Sequence, residues 1–88
     1  MLKRLATAAV IAGLTLEAEY DMETDYTGTD VDAFMEAMNA CDEMRAVFQD
    51  KNNICRGWAL YIPGLDADEQ IADHDSNGFV NAFLNGSN

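Results

Sequence analysis

The spacing of apolar residues changes at Gly13, and this change constrains the fold more than any other feature of the chain. Before Gly13, apolar residues recur at intervals of three and four, which places them on one face of a helix. After Gly13, apolar and polar residues alternate over residues 14–23, as in a strand with one buried face. The sequence therefore predicts a short N-terminal helix that docks on the domain, followed at once by a β-strand. The apolar helical positions are Leu2, Leu5, Ala6, Ala9 and Val10.

The polar face of this predicted strand is a ladder of carboxylates. Side chains on one face of a strand recur about every 6.6 Å, so four of them make a row roughly 20 Å long. More acidic residues follow in the next turn and helix, and they would widen the row into a patch. We predict that this patch binds a partner. Its residues are Glu17, Glu19, Asp21, Glu23, Asp25, Asp30, Asp32 and Glu36.

The rest of the chain predicts four further elements. They are a helix over residues 30–41 capped by Thr29, strands over 44–49 and 54–62, and a closing helix from residue 79 capped by Ser76 or Asn77. Residues 65–78 are predicted to be a mostly acidic loop. The element order α-β-α-β-β-α gives an α+β fold: a three-stranded, mostly antiparallel sheet with helices packed on one face, formed by residues 1–88 as a single domain.

Three aromatic residues of the paired strands are assigned by their size and position. We predict that Phe48 and Trp58 belong to the core and that Tyr61 is exposed. The two cysteines, Cys41 and Cys55, are predicted to be reduced thiols, one on a helix and one in a strand. They are fourteen residues apart, and no histidine lies near them at the spacing that a zinc site requires.

Charge excludes one function class directly. The chain carries 16 acidic residues against 5 basic ones, a formal net charge of -11, and residues 57–88 contain no Lys or Arg. Because binding to phosphates requires cationic side chains, the protein is not expected to bind nucleic acid itself. The first apolar run is far shorter than the roughly 20 residues that span a bilayer, so we expect no membrane partner and a cytoplasmic location. With 49% apolar residues, the chain should fold.

No catalytic signature accompanies this charge. The chain has one histidine, His74, no glycine-rich phosphate loop, and no Ser or Cys beside a plausible base. We therefore predict that the protein is not an enzyme and uses no cofactor, with calcium as the one candidate ion.

The candidate calcium segment runs from Asp73 to Leu84. It has oxygen donors at positions 1, 3 and 5, Gly at 6 and Asn at 9, and so resembles the loop of the EF-hand and dockerin families. The resemblance covers these twelve residues and implies Asp73, Asp75 and Asn77 as metal ligands. Position 12, which supplies a carboxylate in those families, is Leu84. The sequence leaves two interpretations open: a weak calcium-binding module, or an acidic turn that leads into the closing helix.

In size, acidity and lack of catalytic residues, the chain resembles the small proteins that phages and mobile elements make against host machinery. Anti-CRISPR proteins and the uracil-DNA glycosylase inhibitor are examples of this class. The resemblance implies an inhibitor that binds the Lys- and Arg-lined, nucleic-acid-binding surface of a host protein, in part as a DNA mimic. The charge would steer such an encounter. The other interpretation is a solvated acidic face that confers solubility and has no specific partner.

Overall fold

Three helices and one five-stranded sheet make up the described part of the chain, residues 1–86 of a computed structural model. The sheet order is β2-β1-β3-β4-β5, and each strand is antiparallel to its neighbours. The elements are α1 (Leu2–Ile11), β1 (Thr15–Tyr20), β2 (Glu23–Gly28), α2 (Val31–Met38), β3 (Met44–Gln49), β4 (Cys55–Tyr61), β5 (Ile71–His74) and α3 (Phe79–Leu84).

The core lies between the helices and one face of the sheet. Leu16 of β1 pairs with Phe48 of β3, and both side chains are fully buried. Four aromatic rings from both layers form a continuous row through this core, with neighbouring centroids 6.4, 6.4 and 6.0 Å apart. Tilted pairs at this spacing add to the stabilisation that apolar burial provides. In order, the rings belong to Tyr26, Phe34, Phe48 and Phe79.

The N-terminal helix is confirmed. Leu2, Leu5, Ala6 and Ala9 of α1 are all buried in the core. Gly13 then adopts a φ of +88°, a left-handed conformation that glycine reaches without a steric penalty. None of the helices within residues 1–86 is both long and apolar enough to cross a bilayer.

The α+β class is confirmed, but the prediction of three strands is wrong, because the sheet has five. The first predicted strand is in fact a hairpin. Tyr20 at the end of β1 pairs with Glu23 at the start of β2, so the chain reverses over two residues. Those residues, Asp21 and Met22, have φ values of 51° and 66°. Positive φ at both positions is what a type I′ turn needs, yet neither residue is the usual glycine. The alternating pattern also continues through the turn, which concealed it.

The second strand absent from the prediction is β5, which lies within the predicted acidic loop. Asp73 of β5 pairs with Leu60 of β4, and Ile71 pairs with Tyr61. The connection before it is closed by a hydrogen bond from the Ile62 N–H to the Gln70 carbonyl at 2.8 Å. Strand β5 was missed because it is short and carries little apolar alternation.

The prediction for Trp58 and Tyr61 is reversed in the structure. Tyr61 is 4% exposed and faces the helices, as Gly57 and Ala59 of the same strand do. Trp58 is half-buried on the opposite face of the sheet. Because side chains alternate along a strand, Tyr61 shares a face with Gly57 and Ala59, and this is the face that the helices cover.

The middle helix is shorter than predicted. Its N-cap is Asp30, whose Oδ1 accepts a hydrogen bond from the Ala33 N–H at 3.1 Å, whereas Thr29 was the predicted cap. The helix ends at Met38, so Cys41 lies in the following loop instead of on the helix. Strand β3 occupies the predicted residues 44–49.

The β1–β2 turn makes a direct prediction about stability. Replacing Met22 by glycine should raise the free energy of unfolding by about 0.5–1 kcal/mol, because glycine relieves the left-handed strain of an L-residue. Denaturant unfolding measures this change. Met22→Ala is the matched control, since it shortens the side chain and keeps the strain. Equal stability of the glycine and alanine variants would contradict the prediction.

Candidate functional site

Three connections of the chain meet at one end of the sheet: the β1–β2 turn, the α2–β3 loop and the β4–β5 loop. The strand register brings them together, because Glu19 pairs with Arg45, Met44 with Tyr61, and Tyr61 with Ile71. Eight of the 16 acidic residues lie here, and we call this surface the acidic end. It comprises Glu19, Asp21, Glu23, Asp42, Glu43, Asp66, Asp68 and Glu69.

Side-chain hydrogen bonds hold the two longer connections in place. The Tyr61 hydroxyl donates to Asn39 Oδ1 at 2.9 Å and so ties the α2–β3 loop to β4. The Gln70 amide donates to the carbonyls of Pro63 and Leu65 at 3.2 and 3.3 Å, which fixes the β4–β5 loop. These loops therefore present their carboxylates from anchored backbone. Residues 19–23, 39–44 and 62–70 contain no Lys or Arg.

The structure divides the eight acidic residues of the predicted patch. Glu19, Asp21 and Glu23 belong to the acidic end. The other five lie elsewhere: Glu17 mid-strand on β1, Asp25 in β2, Asp30 at the N-cap of α2, Asp32 on α2 with its Oδ1 3.5 Å from Lys3 Nζ, and Glu36 exposed on α2.

Five members of the acidic end were not among the predicted site residues: Asp42, Glu43, Asp66, Asp68 and Glu69. All five lie in connections, where no periodic pattern indicates a direction. Only the antiparallel strand order shows that these connections emerge beside the β1–β2 turn.

The sheet face away from the helices adjoins the acidic end. Its central side chains are Val47, 8% exposed, and the half-buried Trp58 and Leu60. The guanidinium carbon of Arg45 lies 5.7 Å from the centroid of the Trp58 ring, within the range of a cation–π contact. This face therefore joins an apolar centre to the carboxylates at its margin.

Glu17 and Glu19 lie on that same face, two residues apart on β1. Burial raises the pKa of Glu19, and the neighbouring Glu17 carboxylate raises it further, while Arg45 opposes both effects. The Thr24 hydroxyl donates to Glu17 Oε1 at 3.2 Å. The ionised form of Glu19 is therefore disfavoured in the folded protein.

The predicted calcium segment contains the only buried charged side chain among residues 1–86, that of Asp75, which is 8% exposed. Its Oδ1 accepts hydrogen bonds from the N–H groups of Gly78 at 2.7 Å and Asn81 at 3.0 Å. Its Oδ2 accepts from those of Trp58 at 3.1 Å and Val80 at 3.2 Å. Burial alone would raise the pKa of Asp75, but the four N–H donors outweigh it and hold the pKa below its usual value.

Asp75 therefore serves as the cap of α3. Ser76 and Asn77, the predicted caps, are exposed, and Gly78 at the N-cap has no side chain to contribute. The site also needs the small residues around it. A Cβ at Gly78 would lie 2.8 Å from Asp75 Cγ, and a Cβ at Gly57 would lie 2.9 Å from Asp75 Oδ2.

The three candidate calcium ligands differ in burial and in hydrogen bonding. Asp75 directs both oxygens at backbone N–H groups. Asp73 is exposed on β5 and accepts a hydrogen bond from the His74 N–H at 2.9 Å, and Asn77 is exposed. Within residues 1–86, no group of three or more His, Cys, Asp or Glu side chains is arranged to hold a metal ion.

Comparisons with protein-family models, with curated proteins and with solved structures found no match.

Asp75→Asn should lower the free energy of unfolding by about 2–4 kcal/mol, because an amide offers one acceptor oxygen where four N–H donors converge. A lowered folded-state pKa stabilises the fold above the unfolded-state pKa of about 3.9, and this contribution is lost as pH falls through the folded-state pKa. The difference in the free energy of unfolding between the wild type and the variant should therefore shrink below about pH 4. Asp73→Asn is the matched control. Denaturant unfolding across pH measures both, and equal effects of the two variants would contradict the role of Asp75.

Glu19→Gln should stabilise the protein at pH 7 by roughly 0.5 kcal/mol, since it removes a charge that burial and Glu17 disfavour. A raised folded-state pKa favours folding below the unfolded-state pKa of about 4.3, and this contribution is lost as pH rises through the folded-state pKa. The extra stability of the Glu19→Gln variant should therefore vanish near pH 3, where Glu19 of the wild type is protonated as well. Thermal unfolding at both pH values measures it, with Glu36→Gln on the exposed face of α2 as the control. A gain that persists at low pH would exclude this electrostatic cause.

Proposed function

We propose that this protein is a non-catalytic binding protein that occupies the basic, nucleic-acid-binding surface of another protein through its acidic end. The observation that carries the proposal is the convergence of three acidic connections at one end of the sheet. The partner we propose is a cytoplasmic host protein, and the outcome is inhibition by occupancy, as the resemblance to phage-type inhibitors implies.

The density of charge at the acidic end supports this proposal. Five strands spaced about 4.8 Å apart span roughly 20 Å. Eight carboxylates across that width correspond to about one charge per 2.5 Å, and duplex DNA carries one per about 1.7 Å of its axis. The single ladder expected from β1 alone would be much sparser. A groove that is lined with Lys and Arg for a nucleic acid therefore offers a complementary charge.

The fixed position of these carboxylates also supports a binding role. Asn39 and Gln70 anchor the two longer loops, so less conformational entropy is lost when a partner binds. The calcium segment offers less support for a function, because the Asp75 oxygens already accept four N–H bonds.

Affinity capture with two variants of equal net charge tests the proposal. In one variant, Asp21, Asp42 and Asp66 of the acidic end become Asn. In the matched control, Asp25→Asn, Asp32→Asn and Glu36→Gln remove three charges of residues on β2 and α2 that are not part of the acidic end. Wild type and control should retain a nucleic-acid-binding protein from bacterial lysate, and the acidic-end variant should lose it because its complementary charge is reduced.

The captured protein is then assayed for its own nucleic-acid binding. The wild-type chain should inhibit that binding, and competing duplex DNA should release the chain. A partner that is retained equally by both variants would show that general acidity is sufficient. A partner that binds nucleic acid normally in the presence of the chain would contradict inhibition.

A further inference from the structure

A concavity of about 660 Å³ lies where the acidic end meets the uncovered sheet face. Tyr20, Met22 and Leu60 supply apolar surface to it, and the buried Met44 lies beneath. Met22 is 97% exposed and Tyr20 is 49% exposed. Both project from the hairpin end, so the largest apolar side chains here remain available to a partner.

Charged groups surround this apolar surface unequally. Glu19, Asp21 and Glu43 place three carboxylates at the concavity, against the single guanidinium of Arg45. The Arg45 guanidinium is already engaged over the Trp58 ring. An apolar group that enters the concavity would therefore be surrounded mainly by negative charge.

From this complementarity we infer that the partner segment carries an apolar side chain flanked by lysines or arginines. The apolar side chain enters the concavity against Met22, Tyr20 and Leu60, and the flanking cations contact the carboxylates at the rim. This inference rests on the proposed function and specifies the chemistry of the partner. Salt does not weaken the burial of the anchor by screening, whereas it does screen the contribution of the rim.

Two nine-residue peptides test the inference directly: KGKLWLKGK, with an apolar centre, and KGKSSSKGK, with the same four cations and a polar centre. Their binding to the full chain is measured by fluorescence anisotropy at about 0.15 M and about 0.5 M salt. The apolar-centred peptide should bind at least about tenfold more tightly, and its advantage should persist at the higher salt concentration.

Substitutions of exposed apolar residues locate the contact. Met22→Ser should reduce the advantage of the apolar-centred peptide by at least about threefold, with the far-UV circular dichroism unchanged because the side chain is fully exposed. Ile54→Ser is the matched control, since Ile54 is 51% exposed in the β3–β4 connection at the opposite end of the sheet. This variant should bind both peptides as the wild type does.

The outcomes separate this inference from the proposed function. If both peptides bind the wild type equally, and the Asp21, Asp42 and Asp66 variant weakens both, the charged surface is supported and the apolar anchor is overturned. If Met22→Ser and Ile54→Ser lower the advantage equally, the concavity is not the site and the inference is likewise overturned. If the acidic-end variant binds the polar-centred peptide as tightly as the wild type, the proposed function itself fails.

Discussion

The closing part of the fold depends on one buried carboxylate. Asp75 accepts four backbone hydrogen bonds, one from β4 and three from the start of α3 and its N-cap. Helix α3 has only six residues and no side-chain cap of its own, so it would be marginal without these bonds. The helix in turn places Val80 and Phe79 on the core beside Phe48. A single ionised side chain thus links the last helix to the sheet.

Asp75 is one of several carboxylates that accept hydrogen bonds from the backbone and so stabilise the fold. Asp30 caps α2, and Asp50 accepts hydrogen bonds from the N–H groups of Asn52 and Ile54 in the β3–β4 connection. Among residues 1–86, seven of the eight side chains of the acidic end take no part in the hydrogen bonds or ion pairs of the fold, and the eighth, Glu19, interacts with Glu17 and Arg45. Like charges held close together disfavour the folded state. For Glu19, burial is the main cause of the raised pKa, and the neighbouring Glu17 carboxylate adds to it. Folding therefore gives no reason for their number at one end, and this is why we propose a binding role for them.

The amino-acid pattern predicts some parts of this fold well and others poorly, for physical reasons. Helix α1 and strand β3 have strong apolar spacing, and both occur where the pattern places them. The hairpin was missed because Asp21 and Met22 adopt positive φ without a glycine to signal the turn. Strand β5 was missed because it has only four residues with little apolar alternation, so its pairing with β4 defines it and its own sequence does not.

The difference between local pattern and strand pairing also explains which residues of the acidic end were predicted from the sequence and which were not. The alternation of apolar and polar residues along β1 predicts which of its side chains are exposed, so Glu19 was among the predicted site residues. The carboxylates of the α2–β3 and β4–β5 connections gain their position from the strand order, which no local pattern contains.

For a protein that binds as we propose, the combination of charge with apolar surface determines how selective the binding is. A surface that offers only carboxylates attracts any polycation, and its affinity falls as salt screens the charges. A concavity at the margin of that surface, with exposed apolar side chains among its lining residues, adds a contact that depends on the shape and position of one partner side chain. The strained β1–β2 turn carries Met22 to the rim of the acidic end, where its exposed side chain adds to the apolar surface of Tyr20 and Leu60. A glycine at this position would relieve the strain but remove that added surface, and with it part of the selectivity that we propose.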